Sequence, residues 1–418
     1  MHPIPGAGTG ARPYQSHIYK SRTRIFAMRW QLPKLIKLAK LDMSGIPNSK
    51  PYIPANAYSN IEAVLKSGKL SGDGAWGKKV EARLRKDFLL PNALLTSSCT
   101  HALELSAQLV GGAPEDEAIM PSYTFVSSAN AFLRAGMNPV FVDIDPNTLN
   151  IDPKRIEEKI TPRTRAIVPM HYAGVGCDMD AILDIATRHK LTVIEDAAHA
   201  IGATYKGKRL GAIGDMGCFS WHDTKNICSG EGGALTLRDE SLARSAEILR
   251  EKGTNRAQFF RGEIDKYTWI DVGSSFIMSE ILAALLDAEF DAYDHIQQER
   301  KRIHEFYMTS LRDLEQQEKL RLPIIPKECV TNHHLFYILL PTEQKRDSMM
   351  QQLRILGISA PFHYVPLHSA PYWKTFNPNQ ERLPITEDLS ARLLRLPLYP
   401  DLSQEDCSRI VDSVFKSV

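Results

Sequence analysis

The chain has 418 residues, of which 43% are hydrophobic and 24% are charged, as in globular proteins with a large buried core. Its 51 basic and 49 acidic residues leave a formal net charge of +2, a balance that argues against a nucleic-acid partner. No apolar run reaches the ~18 residues that a membrane-spanning helix needs. The six cysteines are scattered, without zinc or redox spacing, and predict reduced thiols in a cytoplasmic protein.

Residues 1–45 form a basic N-terminal extension. The first 41 residues contain eight Lys or Arg and no acidic residue, a bias that is also typical of transit peptides. Residues 29–41 have the spacing of a short basic amphipathic helix. The simpler interpretation is a disordered tail, or a start placed too far upstream with Met43 as the true first residue, because so little apolar surface cannot fold alone.

Residues 46–290 alternate between helical and strand patterns. Apolar periodicity predicts helices at 55–65 and 78–88, around a glycine-rich loop at 68–74. Short apolar runs then predict buried parallel strands at 118–120, 139–142, 166–169, 191–194, 218–221 and 234–237. Between the strands, the spacing predicts helices at 102–110, 127–135 and 179–189. This rhythm is typical of βαβ units and predicts a large α/β domain with a mostly parallel sheet.

The remaining residues, 291–418, predict a linking helix and a small α+β domain. One long helix is predicted across 278–311, and it joins the two domains. The apolar pattern beyond it predicts a strand at 335–340 and helices at 342–356, 387–394 and 404–415.

The first candidate for chemistry is Lys225, which ends the run Ser-Trp-His-Asp-Thr-Lys and precedes Gly230-Glu-Gly-Gly. A lone loop lysine is usually solvated. A desolvated lysine instead has a lowered pKa and becomes a nucleophilic amine that can form a Schiff base. Its position just beyond a buried strand favours the second interpretation only in combination with other groups.

Three further segments supply such groups. Asp196 ends a predicted strand, where its carboxylate could pair with a protonated pyridine nitrogen or simply cap a helix. Residues 96–102 come directly before the helix predicted at 102–110, and amides at such a helix start suit a phosphate or an ordinary serine or threonine cap. Phe125 follows a strand and could stack on a ring or pack in the core. The histidines of 363–368 lack metal-ligand spacing, so we predict no metal site and place them near the mouth of the site.

In order and spacing these segments resemble the sugar aminotransferases of the DegT/DnrJ type, which depend on pyridoxal 5'-phosphate (PLP). The most specific parts are Glu195-Asp-Ala-Ala-His-Ala, the run from Ser220 to Lys225 with Gly-Glu-Gly-Gly, and Pro121-Ser-Tyr-Thr-Phe. The resemblance extends from residue 46 to the carboxyl end. It implies the α/β fold-type-I architecture, with a large, mostly parallel seven-stranded sheet domain and a smaller α+β C-terminal domain.

The resemblance also implies roles for individual residues. Lys225 holds PLP covalently and later acts as the general base. Asp196 pairs with the pyridine nitrogen, His199 lies near the phenolic side of the ring, and Phe125 stacks on it. The implied phosphate ligands are the amides of Thr100 and His101 and the hydroxyl of Ser220.

One segment departs from the family pattern. Many members carry Gly-x-Asn-x-Arg, whose asparagine reaches the phosphate of the partner subunit. This chain has Gly-Ser-Ser-Phe-Ile at 273–277, with Ser275 at the asparagine position. The family builds its active sites at a two-fold interface, so the resemblance implies a homodimer.

Residues 250–261, 265–269, 68–74 and 170–174 are similar to the branch that makes dTDP-4-amino-4,6-dideoxygalactose, which also has the serine-containing segment. This implies transfer of the amino group of L-glutamate to C4 of dTDP-4-keto-6-deoxy-D-glucose, with 2-oxoglutarate as co-product. The accompanying candidates for substrate binding are Asp73, His171, Tyr364 and His368.

Three alternatives remain beside this interpretation. A sugar 3-dehydratase of the same fold carries histidine in place of the lysine, and Lys225 argues against it. A sugar 3-aminotransferase presents a different carbonyl to the same chemistry, which spacing does not distinguish. A PLP-binding regulatory protein without turnover is compatible with the fold, although the pairing of Lys225 with Asp196 favours catalysis.

Overall fold

The computed structural model describes residues 45–418; the predicted basic helix and Met43 lie outside the described residues. The helices are α1 Asn56–Ser67, α2 Ala75–Lys86, α3 Cys99–Val110, α4 Val126–Arg134, α5 Pro153–Glu157, α6 Met179–His189, α7 Glu240–Arg250, α8 Arg256–Phe260, α9 Glu280–Asp291, α10 Tyr293–Ser310, α11 Arg312–Gln316, α12 Glu343–Ile355, α13 Pro371–Phe376, α14 Pro384–Arg392 and α15 Gln404–Ser417. The strands are β1 Leu94–Thr96, β2 Glu117–Pro121, β3 Asn138–Val142, β4 Thr164–Ile167, β5 Thr192–Asp196, β6 Thr204–Tyr205, β7 Lys208–Arg209, β8 Met216–Ser220, β9 Gly233–Leu237, β10 Cys329–Val330, β11 Phe336–Leu339 and β12 Leu393–Leu396. In this part of the chain no helix combines the length and hydropathy that a membrane span requires.

A seven-stranded sheet in the order β1-β9-β8-β5-β4-β2-β3 forms the centre of the fold. Strands β2, β3, β4, β5 and β8 are parallel, whereas β9 runs antiparallel to both β8 and β1. The predicted mostly parallel sheet is therefore confirmed. All six predicted strands are present, but the strand predicted at 234–237 is antiparallel and not parallel. The edge strand β1 was not predicted because its three residues are too short to show a pattern.

Both faces of this sheet are covered, since successive strand residues point to opposite sides. Val193 packs in a cluster with Leu84 of α2 and Ile182 of α6. The next residue, Ile194, packs in a second cluster with Leu103 of α3 and residues of α4 and α7. Burial on both faces explains why the strands are continuous apolar runs in the sequence.

A second, two-stranded sheet pairs β11 with β12 in antiparallel register. Phe336 of β11 shares a separate core with Tyr307 of α10, Met349 of α12 and Ile410 of α15. This is the smaller α+β part of the fold-type-I architecture. The boundary placed between residues 290 and 291 stays a prediction.

Two predicted elements were wrong in extent. The single helix at 278–311 is instead α9 and α10, which are separated at Ala292 with φ −92° and ψ 4°. The break lets α9 pack in the core of the large sheet while α10 extends to the core of the small one. The helix predicted at 387–394 ends at Arg392, because Leu393 and Leu394 pair with β11.

Glu195, near the carboxyl end of β5, ties the sheet to the loop before β8. Its fully buried carboxylate accepts hydrogen bonds of 2.6–2.7 Å from the amides of Gly211, Ile213 and Gly214. It also accepts a bond of 2.8 Å from Nε2 of His171. The other nitrogen of that imidazole, Nδ1, accepts from the amide of Cys177, so Nε2 carries the proton.

We expect Glu195→Gln to lower the free energy of unfolding by about 2–3 kcal/mol, because an amide NH₂ would face buried N–H donors. Urea denaturation followed by circular dichroism measures this difference. Glu405→Gln is the matched control, since Glu405 is exposed in the first turn of α15. Equal unfolding midpoints for the two variants would contradict the role assigned to Glu195.

Candidate active site

A cavity of about 590 Å³ lies at the carboxyl ends of β5 and β8, where parallel sheets bind ligands. Residues of the small sheet close its other side. Its lining includes most of the predicted site residues, namely Thr100, Phe125, Asp196, His199, Ser220, Lys225 and Tyr364. It also includes polar residues that were not predicted, among them Ser127, Arg300, His334 and Arg395. No group of three or more potential metal ligands occurs among residues 45–418.

Lys225 projects from the loop between β8 and β9. The loop is closed by backbone hydrogen bonds, including one of 2.8 Å from the amide of Ser229 to the carbonyl of Trp221. The next residue, Asn226, donates its side-chain amide to the carbonyl of Asn332 at 2.8 Å. Burial lowers the pKa of Lys225. A larger fraction of its amine is therefore neutral and nucleophilic than in a solvated lysine.

Asp196 is the last residue of β5 and is 3% exposed. Its Oδ2 accepts a hydrogen bond of 2.7 Å from the hydroxyl of Ser128, and its Oδ1 accepts one of 3.2 Å from the amide of Ala198. Burial raises the pKa of Asp196. A cationic ring nitrogen beside this carboxylate favours the ionised form of Asp196. The attraction between the two charges is stronger at this buried position than it would be in water.

His199 is buried beside this carboxylate and retains an unused hydrogen-bonding atom. Within the described residues its Nδ1 has no hydrogen-bond partner. Its ring lies 4.1 Å from that of His334, at an interplanar angle of 30°. Burial holds the pKa of His199 well below its ordinary value, so the ring is neutral near pH 7. An unpartnered neutral nitrogen at this position fits a ligand hydroxyl.

His334 was not predicted from the sequence, although its ring packs against that of His199. The side-chain NH₂ of Asn226 is used by Asn332, so its Oδ1 accepts the Nδ1 proton of His334 at 2.8 Å. The hydrogen bond leaves Nε2 of His334 as an unprotonated acceptor. No local motif marks this residue, because its partner lies 108 residues away in the sequence.

The start of α3, where a phosphate site is predicted, offers free backbone amides and nearby hydroxyls. Like any first turn, it leaves the amides of Cys99 and Thr100 without an intrahelical acceptor. Ser220 and Ser127 line the same cavity as Thr100. The hydroxyl of Ser127 lies 2.8 Å from the hydroxyl of Thr100. A Cβ on Gly233 would lie 2.4 Å from the carbonyl carbon of Ser98, so only glycine lets β9 approach this turn.

His101 does not line the cavity. Its amide donates to the side chain of Ser98 at 3.1 Å, and its ring packs 4.9 Å from that of Phe276. The amide of His101 could bind a phosphate, as predicted, only by giving up its hydrogen bond to the Ser98 side chain.

Phe125 immediately precedes α4 and is 54% exposed at the cavity. The core-packing interpretation is thus wrong for Phe125 and holds instead for Tyr123, which is 1% exposed. The ring of Tyr364 lies 6.2 Å from that of Phe125, and its hydroxyl lies 3.4 Å from Nε2 of His199.

The three other substrate candidates lie outside the cavity, each with partners inside the chain. Asp73 pairs with Arg250 at 2.7 Å. His171 binds Glu195, and His368 lies 2.6 Å from the Ser122 hydroxyl and 3.2 Å from Glu387. Buried histidines need hydrogen-bond partners, and these two histidines find theirs within the chain and not in a ligand. Ser275 is exposed and lies outside the cavity of its own chain.

A reactive lysine, a buried carboxylate, a helix start with free amides and an exposed aromatic ring converge on one cavity. Together they suit an aldehyde-bearing pyridine ring with a phosphate group, and this class of site is that of a PLP-dependent transferase. Lys225 would hold the aldehyde carbon, Asp196 the ring nitrogen, and the α3 start with Ser220 the phosphate.

Comparison with known proteins gives the family. Residues 51–415 match the DegT/DnrJ/EryC1/StrS aminotransferase family. The chain belongs to this family, whose members are PLP-dependent sugar aminotransferases.

Individual relatives agree over almost the whole chain. The spore coat polysaccharide biosynthesis protein SpsC of Bacillus subtilis is 37% identical over 382 residues, which cover 88% of this chain and 96% of SpsC. The aminotransferase TlmJ from Streptoalloteichus hindustanus superposes with a TM-score of 0.83 at 28% identity, covering 89% of this chain and 98% of TlmJ. The putative sugar aminotransferase Spr1654 of Streptococcus pneumoniae, in its PLP form, has a TM-score of 0.82 at 26% identity and covers 90% of this chain and 100% of its own.

We expect Asp196→Asn to reduce kcat at least about 30-fold while preserving the fold, because removing one partner of a buried charge pair costs about 2 kcal/mol or more. Steady-state turnover with saturating PLP and L-glutamate measures the loss. Ser128→Ala is the graded control: it removes one hydrogen bond to the carboxylate, worth about 1 kcal/mol, and should cost about fivefold. Full turnover by Asp196→Asn would show that the charge is not used.

Proposed function

We propose that the enzyme transfers the amino group of L-glutamate to C4 of dTDP-4-keto-6-deoxy-D-glucose. The products are dTDP-4-amino-4,6-dideoxy-D-galactose and 2-oxoglutarate. The shared cavity of Lys225 and Asp196 carries the reaction type. The substrate is supported by the similarity of residues 250–269 to the C4-aminating branch, and SpsC is by name a polysaccharide biosynthesis protein.

The residues of the cavity divide the chemistry among them. Bound PLP supplies an electron sink for the charge that develops on the α-carbon of the amino donor. The amine of Lys225, whose pKa is lowered by burial, takes the proton from that carbon in the first half-reaction, and in the half-reaction with the keto-sugar it delivers a proton to C4. Asp196, fixed by Ser128, keeps its charge at the base of the cavity. Neutral His199 and His334 offer hydrogen-bonding nitrogens without adding a competing cation.

We also propose a homodimer in which Ser275 faces the phosphate site of the partner. Support comes from exposed apolar side chains close to it in sequence: Phe260, Trp269 and Val272 are 67%, 73% and 76% exposed. Large apolar side chains that are exposed in a single chain are often covered at an interface. Sedimentation should give the mass of a dimer, and a monomer at micromolar concentration would contradict the proposal.

A cytoplasmic location is part of the same proposal. All six cysteines are free thiols, and five of them are buried. This pattern fits a reducing compartment.

The direct test is to incubate the purified enzyme with PLP, L-glutamate and a panel of keto-sugar nucleotides. We expect an amine at C4 in the galacto configuration, identified by mass spectrometry and NMR. Lys225→Ala should abolish turnover, since it removes the group that moves the proton.

An amine at C3 would favour the alternative sugar 3-aminotransferase. A wild-type cofactor absorbance that L-glutamate leaves unchanged, with no product from any sugar, would favour a non-catalytic PLP-binding protein. Full transamination by Lys225→Ala would contradict the assignment of the lysine.

A further inference from the structure

Arg395 on β12 is held in the cavity wall by its backbone. It pairs with Tyr337 in the β11–β12 register, and its amide donates to the carbonyl of Pro361 at 2.9 Å. Its side chain lines the same cavity as Lys225 and is half-buried. No chemical motif marks Arg395 in the sequence, where it lies 170 residues beyond the lysine.

The guanidinium of Arg395 has no counter-charge among the described residues. Its Nε is buried without a hydrogen-bond partner, and none of the ion pairs within residues 45–418 includes it. Arg392, three residues earlier, pairs with Asp388 through Nε at 3.0 Å. Arg250, which is almost fully buried, pairs with Asp73 and Glu81 at 2.7 and 2.9 Å.

The other arginine of the cavity is already used. Arg300 donates to the backbone carbonyls of His333, at 3.2 Å, and of His334. It thereby holds the segment that carries His334 against His199. Of the two arginines that line the cavity, Arg395 is therefore the one whose guanidinium can bind an anion. A guanidinium withdrawn from water without a partner is unfavourable, and a carboxylate or phosphate offers it two parallel hydrogen bonds.

Three anionic groups enter such a cavity during the reaction, namely the α- and γ-carboxylates of L-glutamate and the diphosphate of the sugar nucleotide. The γ-carboxylate lies at the far end of the side chain, away from the reacting carbon. The α-carboxylate sits on the carbon whose proton Lys225 removes, so it must lie beside the lysine. The diphosphate is attached to C1 of the sugar, several bonds from the carbon that receives the amine. Besides burial, the positive charge of Arg395 lowers the pKa of Lys225 and of His199, so its field reaches the reacting centre.

We propose that Arg395 binds the α-carboxylate of the amino donor. The inference rests on the proposed function in taking L-glutamate as that donor. In this arrangement the two substrates contact different parts of the cavity wall. The small sheet orients the amino acid through Arg395, and the keto-sugar reaches Lys225 without using this guanidinium.

The test separates the two half-reactions in the PLP-loaded enzyme. Conversion by L-glutamate is followed through the cofactor absorbance, and the return by the keto-sugar is followed from enzyme already carrying the amino form. We expect Arg395→Gln to raise the half-saturating glutamate concentration at least about 30-fold. The rate of the keto-sugar half-reaction should stay within about threefold of the wild-type rate, because a change of that size corresponds to the loss of one weak contact.

Arg395→Lys should recover part of the glutamate affinity, because it keeps the charge but not the two-pronged geometry. Arg392→Gln is the matched control on the same strand–helix junction and should leave both half-reactions unchanged. A second readout needs no turnover: calorimetry of 2-oxoglutarate binding to the cofactor-free protein should show binding to wild type and its loss in Arg395→Gln.

Three outcomes would overturn the proposal. Unchanged glutamate dependence in Arg395→Gln excludes a carboxylate contact. Selective loss of the keto-sugar half-reaction assigns the arginine to the diphosphate instead. Equal loss of both, with weaker PLP binding, indicates a purely structural role. If wild-type enzyme ignores glutamate but reacts with another amino acid, the proposed donor is wrong, and the same comparison is made with that amino acid.

Discussion

The adjacent carboxylates at the end of β5 are the constraint on which the rest of the site depends. Because neighbouring strand residues face opposite sides of a sheet, Glu195 and Asp196 act in different directions. Glu195 faces the protein interior and binds three amides of the loop that leads into β8. Asp196 faces the cavity and is fixed by Ser128. Since β8 leads directly to the loop of Lys225, the first carboxylate places the lysine relative to the second.

The small sheet completes what β5 and β8 begin. Asn226, the neighbour of Lys225, binds both the carbonyl of Asn332 and the ring of His334. The reactive lysine is thereby attached to the segment that leads into β11. The paired strand β12 then brings Arg395 to the same cavity. In the proposed reaction the large sheet would supply the cofactor-binding groups, and the small sheet would supply the groups that face the substrate.

The sequence predicted the part of the site that is encoded locally. Asp196, Ser220 and the start of α3 each lie at the end of a strand or helix, and Lys225 lies in the loop that follows β8, so their neighbours in sequence indicate their position. His334 and Arg395 could not be found in this way, because their surroundings come from distant segments. His171 and His368 show the opposite failure: a motif located them near the site, but their side chains are used by Glu195 and by Ser122 with Glu387. The break at Ala292 was hidden because apolar spacing continues across it.

The proposed chemistry requires covalent attachment of PLP to Lys225, and borohydride reduction tests for that bond. Reduction of the PLP-loaded enzyme makes the link between cofactor and lysine permanent, and peptide mass spectrometry then locates it. We expect one modified peptide, which contains Lys225, and no modification when L-glutamate has first converted the cofactor to its amino form. Modification of a different lysine, or of none, would show that Lys225 does not hold the cofactor.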